Sequence, residues 1–324
     1  MDEFESIARL FRPLSEGAPE SLGLSDDAAA LPSRPGFDLV VTVDAIVEGV
    51  HFLPGDPPGL VARKLLRVNL SDLAAKGAEP YGYFLSVSWP QGWGDGEKAA
   101  FAQGLAEDQR LFGLRLFGGD TTSTPGPFTA SVTLTGWVPA GRMVRRAGGR
   151  PGQVLMVTGS IGDGGLGLLA AQGALDGASA EDCAYLVDRY RLPQPRVGLA
   201  AALSAHASAA LDVSDGLIAD VIHMEEASGA AIQIDLERLP LSPAARAWVE
   251  RQPDPVQALA ALATAGDDYE LAVAADMDAA MALALAAASE GVALTPVGRI
   301  AEGQGTLVLH RGQPVLLSRT GWRH

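Results

Sequence analysis

Apolar and polar positions recur with two periods along this chain, and the first half switches between them repeatedly. Residues 38–44 and 83–89 are extended runs rich in β-branched and aromatic residues, the second stopped by Pro90, and both predict strands. Between them, Leu60, Leu65, Leu66, Leu70 and Leu73 fall near helical spacing and predict a helix over 58–77. Residues 96–112 read as helix, 114–117 as strand and 128–138 as a long alternating strand. The stretch Ala147-Gly148-Gly149-Arg150-Pro151-Gly152 is dense in breakers and marks a boundary between domains 1–148 and 149–324. Beyond it, strands are predicted at 154–158, 209–213, 231–235, 270–274, 295–299 and 305–310. Helices are predicted from about Gly164, over 180–205 with breaks at Pro193 and Pro195, and over 217–228, 243–250, 255–263 and 279–290. This order predicts two α/β or α+β domains with mixed sheets.

Charge narrows the partners. The 324 residues carry 39 acidic and 24 basic side chains, a formal net charge of −15, with Lys64, Lys76 and Lys98 as the lysines. Without a basic patch, neither nucleic acid nor an anionic membrane is an expected partner. Cys183 is the single cysteine, so an intrachain disulfide is excluded. The acidic start lacks a signal-peptide core, and no run reaches the roughly 18 apolar residues of a membrane span. A cytoplasmic location is expected.

Five short segments place an Asp at the end of an apolar run or beside glycine. They are Gly23-Leu24-Ser25-Asp26-Asp27, Leu39-Val40-Val41-Thr42-Val43-Asp44, Asn69-Leu70-Ser71-Asp72, Phe117-Gly118-Gly119-Asp120 and Leu211-Asp212-Val213-Ser214-Asp215-Gly216. Two carboxylates about 4 Å apart repel by roughly 4 kcal/mol at an effective dielectric near 20. Convergence of these segments therefore needs a cation. Hard divalent ions take oxygen ligands, and Mg²⁺ brings phosphorylated substrates with it. Each Asp also has a plainer reading: Asp215 as the cap of a helix starting near Leu217, Asp72 as a residue on an exposed helix face.

Other phosphate motifs are missing. No Gly-Lys pair exists, so a Walker A loop is excluded. Gly162-Asp163-Gly164-Gly165-Leu166-Gly167 matches a dinucleotide fingerprint, but no second strand follows its helix. It reads instead as a glycine turn opening a helix whose N-terminus can cradle an anion. Arg145-Arg146 reads either as a phosphate ligand or as a solvated pair.

At these residues the chain resembles the thiamine-monophosphate kinase family, in the superfamily that includes aminoimidazole ribonucleotide synthetase. The signatures are Asp26-Asp27-Ala28-Ala29, Thr42-Val43-Asp44 through Glu48-Gly49-Val50-His51-Phe52, and Val68 to Ala75. Gly118 to Thr122, Asp212 to Leu217, Gly266 to Leu271 and Gly321-Trp322-Arg323-His324 complete them. The resemblance implies the two-domain aminoimidazole ribonucleotide synthetase-like fold and a homodimer paired through its amino-terminal domains. It implies transfer of the γ-phosphoryl of ATP to thiamine phosphate. Asp27, Thr42, Asp44, Asp72, Asp120, Asp212 and Asp215 would hold several Mg²⁺ ions. Gly119, Asp120, Arg146 and Ser214 would meet ATP, and His51, Asp267 and Trp322 thiamine phosphate. Ser25 stands where the family usually has Gly, and Asp267 where many members have Glu. The alternatives are a sister ATP-dependent synthetase with another phosphorylated substrate, or a non-enzymatic divalent-metal-binding protein.

Overall fold

The computed structural model describes residues 5 and 7–322, so residues 1–4, residue 6 and Arg323-His324 lie outside the described residues. The chain divides into two compact units, residues 1–73 with 78–141, and residues 74–77 with 142–324. The second unit takes in residues ahead of the breaker-rich stretch. Val144 is buried in its core beside Met156 and Leu203, and the Ala210 amide donates to the Arg145 carbonyl (2.9 Å).

The first unit is built on a four-stranded mixed sheet of strands β1 (Phe37–Val47), β2 (Glu79–Pro90), β3 (Leu116–Thr124) and β4 (Thr129–Pro139). Their order is β1-β4-β2-β3, antiparallel except for the parallel pair β2 and β3. Strand β3 runs past the predicted end at Phe117, so Gly118-Gly119-Asp120 lies within the sheet rather than after it. Glycine is disfavoured in a strand interior unless backbone approaches closely. Here it does: a Cβ on Gly119 would run into the Leu85 carbonyl.

Side chains alternate across this sheet. Tyr83, Leu85, Val87 and Trp89 of β2 and Ala130, Val132 and Leu134 of β4 are buried, whereas Ser86 is exposed and Ser88, Ser131 and Thr133 are partly so. The buried face packs against helices α1 (Pro58–Ala75) and α2 (Asp95–Phe112), with the ring of Phe101 edge-on to Trp89 at 5.4 Å. The two helices are clamped by a buried ion cluster. Asp108 accepts from Arg63 Nε (2.9 Å), Arg67 Nε (2.7 Å) and Arg67 Nη2 (3.1 Å). Ahead of β1, short helical turns at Ile7–Phe11, Arg12–Ser15 and Pro19–Leu24 carry no periodic signature in the sequence.

The second unit contains a seven-stranded mixed sheet. Its strands are β5 (Val154–Thr158), β6 (Ala209–Val213), β7 (Ala231–Asp235), β8 (Glu270–Ala275), β9 (Leu294–Ala301), β10 (Thr306–His310) and β11 (Gln313–Pro314), in the order β11-β10-β7-β9-β5-β8-β6. Leu155, Val157, Leu211 and Val213 enter one core cluster, and Met156, Ala210, Leu271 and Val273 another. Both faces are therefore covered, and that is why these strands read as continuous apolar runs rather than alternating ones.

Replacing Asp108 by Ala should remove the carboxylate that pairs with Arg67, whose side chain is 3% exposed. Breaking such a buried pair costs about 3–5 kcal/mol. The expected outcome is a large fall in the urea midpoint followed by Trp fluorescence. An unchanged midpoint assigns the cluster no structural role.

Candidate functional site

The sequence-predicted residues of the first unit fall into two groups. One forms between α1 and β1. Asn69 and Asp72, three residues apart on one helix face, both reach the strand. Asn69 Oδ1 accepts the Asp44 amide (3.0 Å) at the open edge of the sheet, while its Nδ2 donates to the Leu65 carbonyl (2.9 Å). The Thr42 hydroxyl donates to Asp72 Oδ2. Burial, and secondarily the charge of Asp72, pushes the Asp44 carboxyl up to about 6. Two acids thus share a half-buried site with more negative charge than the surrounding donors offset. His51 lies just beyond β1. Its Nδ1 accepts the Val47 amide (3.0 Å), which leaves the proton of the neutral ring on Nε2.

The second group lines a cleft of about 680 Å³ beside β3, within the usual volume of small-molecule sites. Gly118, Gly119 and Asp120 line one side, and Asp26 and Asp27 belong to the chain that closes it. The backbone just before them is left-handed at Leu22 (φ 50°), Gly23 (φ 67°) and Leu24 (φ 53°). Ser25 itself has φ −116°, so a glycine is not required there, and its hydroxyl ties the turn to the Leu22 carbonyl (2.7 Å).

These two groups do not converge within the sheet. Asp44 pairs with Val132, Val132 with Leu85, and Leu85 with Gly119. Asp120, one residue on, pairs with Ser86 and so projects from the opposite face to Asp44. The two edge strands are three spacings apart, about 14 Å. Asp44 and Asp120 both sit inside strands, not at carboxyl ends as the apolar runs before them suggest, because pairing continues past each.

In the second unit, β6 delivers Asp212 (8% exposed), Ser214 and Asp215. The amides of Ser214 and Asp215 both donate to Asp220 Oδ2 at 3.0 Å. Burial and the Asp215 charge push the Asp220 carboxyl up to about 7. The helix-capping role that the sequence offers to Asp215 thus passes to its neighbours: Gly216 is the N-cap of helix α3 (Leu217–Ser228), and Asp220 in its first turn satisfies the loop amides. The Asp267 amide donates to the Ser214 carbonyl and the Trp322 amide to the Asp215 carbonyl, both at 2.8 Å. Asp267 is left-handed (φ 68°), a conformation Asp tolerates better than Glu does. Trp322 is 51% exposed. Arg146 is exposed, and its carbonyl accepts from the Ser228 hydroxyl (3.4 Å).

The glycine turn that mimics a dinucleotide fingerprint already holds an anion, and it comes from the chain itself. Asp268, 1% exposed, accepts the amides of Gly162 (2.7 Å) and Gly164 (2.9 Å). Burial pushes its carboxyl well above the usual range against the pull of these two amides. Asn69, Asp220 and Asp268 are the residues the site reading missed as site-builders. The signal available for two of them was an acid or amide three to five residues from a motif Asp. For Asp268 there was none beyond its place in Gly266-Asp267-Asp268-Tyr269. Among the described residues, no cluster of three or more His, Cys, Asp or Glu side chains is arranged as a metal cage.

Comparison with known proteins gives this geometry its context. Residues 25–138 match the N-terminal domain, and residues 150–310 the C-terminal domain, of the AIR synthase related proteins. A thiamine-monophosphate kinase of Caulobacter vibrioides is 53% identical over 322 residues, covering 99% of this chain and 90% of its own. The crystal structure of thiamine-monophosphate kinase from Stenotrophomonas maltophilia superposes with a TM-score of 0.84 at 39% identity, over 97% of this chain and 98% of that one. AaThiL complexed with AMPPCP and TMP superposes with a TM-score of 0.78 at 28% identity, over 90% of this chain and 89% of the other. With both domains matched and the kinship running the length of the chain, this protein belongs to the thiamine-monophosphate kinase family of AIR synthase related proteins.

Proposed function

We propose that this chain transfers the γ-phosphoryl group of ATP to thiamine phosphate, giving thiamine diphosphate and ADP, with several Mg²⁺ ions bound. The full-length kinship with thiamine-monophosphate kinases carries the reading, and a relative that holds AMPPCP together with TMP supports it. The acceptor is a phosphate whose second pKa is about 6, so its oxygen is already largely ionised at neutral pH. No general base is needed. Alignment and charge neutralisation suffice, which agrees with a candidate site rich in carboxylates.

The residues fit Mg²⁺ by their chemistry. Asp44, Asp72 and the Thr42 hydroxyl offer hard oxygen donors, and two neighbouring carboxylates in a half-buried site favour a cation between them. Asp27 and Asp120 at the cleft, and Asp212 and Asp215 in the second unit, complete the proposed set. When bound, Mg²⁺ neutralises phosphate charge. Asn69 and Asp220 hold the backbones of Asp44 and Asp215, and Gly119, Arg146 and Ser214 serve the nucleotide. His51, Asp267 and Trp322 receive thiamine phosphate, with the Trp322 ring over the cationic thiazolium.

A homodimer paired through β1 fits the same picture. This edge strand exposes Leu39 (37%), Val41 (53%) and Val43 (58%) in a row, a combination that unpartnered edges avoid. A cytoplasmic location is consistent with the described residues, none of whose helices is long and apolar enough to cross a membrane.

The direct test is mass spectrometry of thiamine phosphate incubated with the protein, ATP and Mg²⁺. Thiamine diphosphate should form, and excess EDTA should stop it; no product under these conditions sinks the proposal. Asp44→Asn and Asp120→Asn should each lower kcat by on the order of 10² to 10³, with an unchanged circular dichroism spectrum. A near-normal rate removes that residue from the site. Trp322→Ala should raise KM for thiamine phosphate roughly tenfold, equivalent to about 1.4 kcal/mol, with KM for ATP unchanged. Equal shifts for both substrates point instead to tail packing.

A further inference from the structure

The segment that carries Asp267 is held in a conformation it would not choose alone. Asp267 (φ 68°) and Tyr269 (φ 50°) are both left-handed, a rare pair for residues other than glycine. Their amides donate to Ser214 and Val213 carbonyls, 2.8 Å each, at the end of β6. Such conformations persist only where the surroundings over-determine them. Asp268, between the two, points into the interior and grips the amides of Gly162 and Gly164. That turn in its turn presses on the segment: a Cβ on Gly164 would collide with the Asp267 carbonyl.

The turn is anchored independently on its far side. Asp163, 0% exposed, accepts from the hydroxyls of Ser160 (2.5 Å), Ser242 (2.6 Å) and Tyr185 (2.9 Å). Two buried carboxylates therefore stand at one helix start with different duties. Asp163 fixes the turn to the body of the unit, and Asp268 fixes the Asp267 backbone to the turn.

We propose that Asp268 is a positioning residue for thiamine phosphate, setting through the Gly162–Gly164 turn the backbone from which Asp267 meets the substrate. The inference rests on the reading in which Asp267 binds thiamine phosphate. An Asn at 268 keeps the shape, but its NH₂ cannot accept the second amide. The segment then keeps its amide bonds to Ser214 and Val213 but loses one of the two bonds that tie Asp268 to the turn, and the Asp267 backbone shifts towards the loosened side. The residues proposed for ATP lie outside this segment, and the one that touches it, Ser214, does so through its backbone carbonyl.

The test compares steady-state kinetics of wild type, Asp268→Asn, Asp163→Asn and Gly164→Ala, with melting curves for each. Asp268→Asn should raise KM for thiamine phosphate about tenfold, a difference of about 1.4 kcal/mol, with KM for ATP and kcat nearly unchanged. Asp163→Asn should lower the melting temperature and leave both KM values alone. Gly164→Ala keeps both carboxylates and displaces the same carbonyl, so it should reproduce the selective KM rise; it carries the test should Asp268→Asn fail to fold. Equal shifts for both substrates, unchanged kinetics in Gly164→Ala, or the same selective rise in Asp163→Asn overturns the inference while wild-type turnover leaves the proposed function standing. Wild-type protein that phosphorylates no thiamine phosphate overturns both.

Discussion

A carboxylate removed from water must find donors or a cation, and how each acid of this chain meets that demand organises the molecule. Asp108 is ringed by two arginines. Asp163 is ringed by three hydroxyls and Asp268 by two amides. Glu270, 0% exposed, accepts from Arg189 (3.0 Å), Arg196 (2.7 Å) and the Thr158 hydroxyl (2.7 Å). These acids are satisfied from within, and they hold helices to each other and turns to strands. Asp44 and Asp72 are different. The Thr42 hydroxyl donates to Asp72, and burial, with the charge of Asp72 second, raises the neighbouring Asp44 carboxyl to about 6.

That division separates scaffold from site. A buried acid with its own donors gains little from a ligand, whereas a half-buried pair short of positive charge favours any cation or cation-bound phosphate that arrives. The same logic explains the glycine turn. A helix start with open amides would attract a phosphate, but here the position is taken by Asp268, and the turn serves as structure. The dinucleotide-like motif is thus structural, the reading that its missing second strand favours.

The sheet of the first unit imposes a second constraint. Its strands pair in register, so residues one position apart face opposite sides. Asp44 joins α1 on the covered face, and Asp120 opens onto the other. A single ion cage gathering both within this sheet is geometrically barred. Carboxylates that look alike along the chain therefore belong to separate local groups.

Much of this was open to reading from residues alone. The period-two runs locate β1, β2 and β4, and the leucine spacing locates α1. The Asp-bearing signatures name the family, because each combines a residue type with neighbours that have no other common use. The end of β3 was not legible: glycines argue against a strand until a neighbouring backbone is known to approach. Nor were the helical turns over 7–24, which lack periodicity. The sequence by itself determined where most of the elements form, since propensity and pattern act over a few residues, and it singled out the acids for which the roles above are proposed. Only the tertiary structure decided which acid is compensated and which is left wanting. Asp268 and its two glycine donors are 106 and 104 residues apart, and no local pattern encodes a hydrogen bond across that separation.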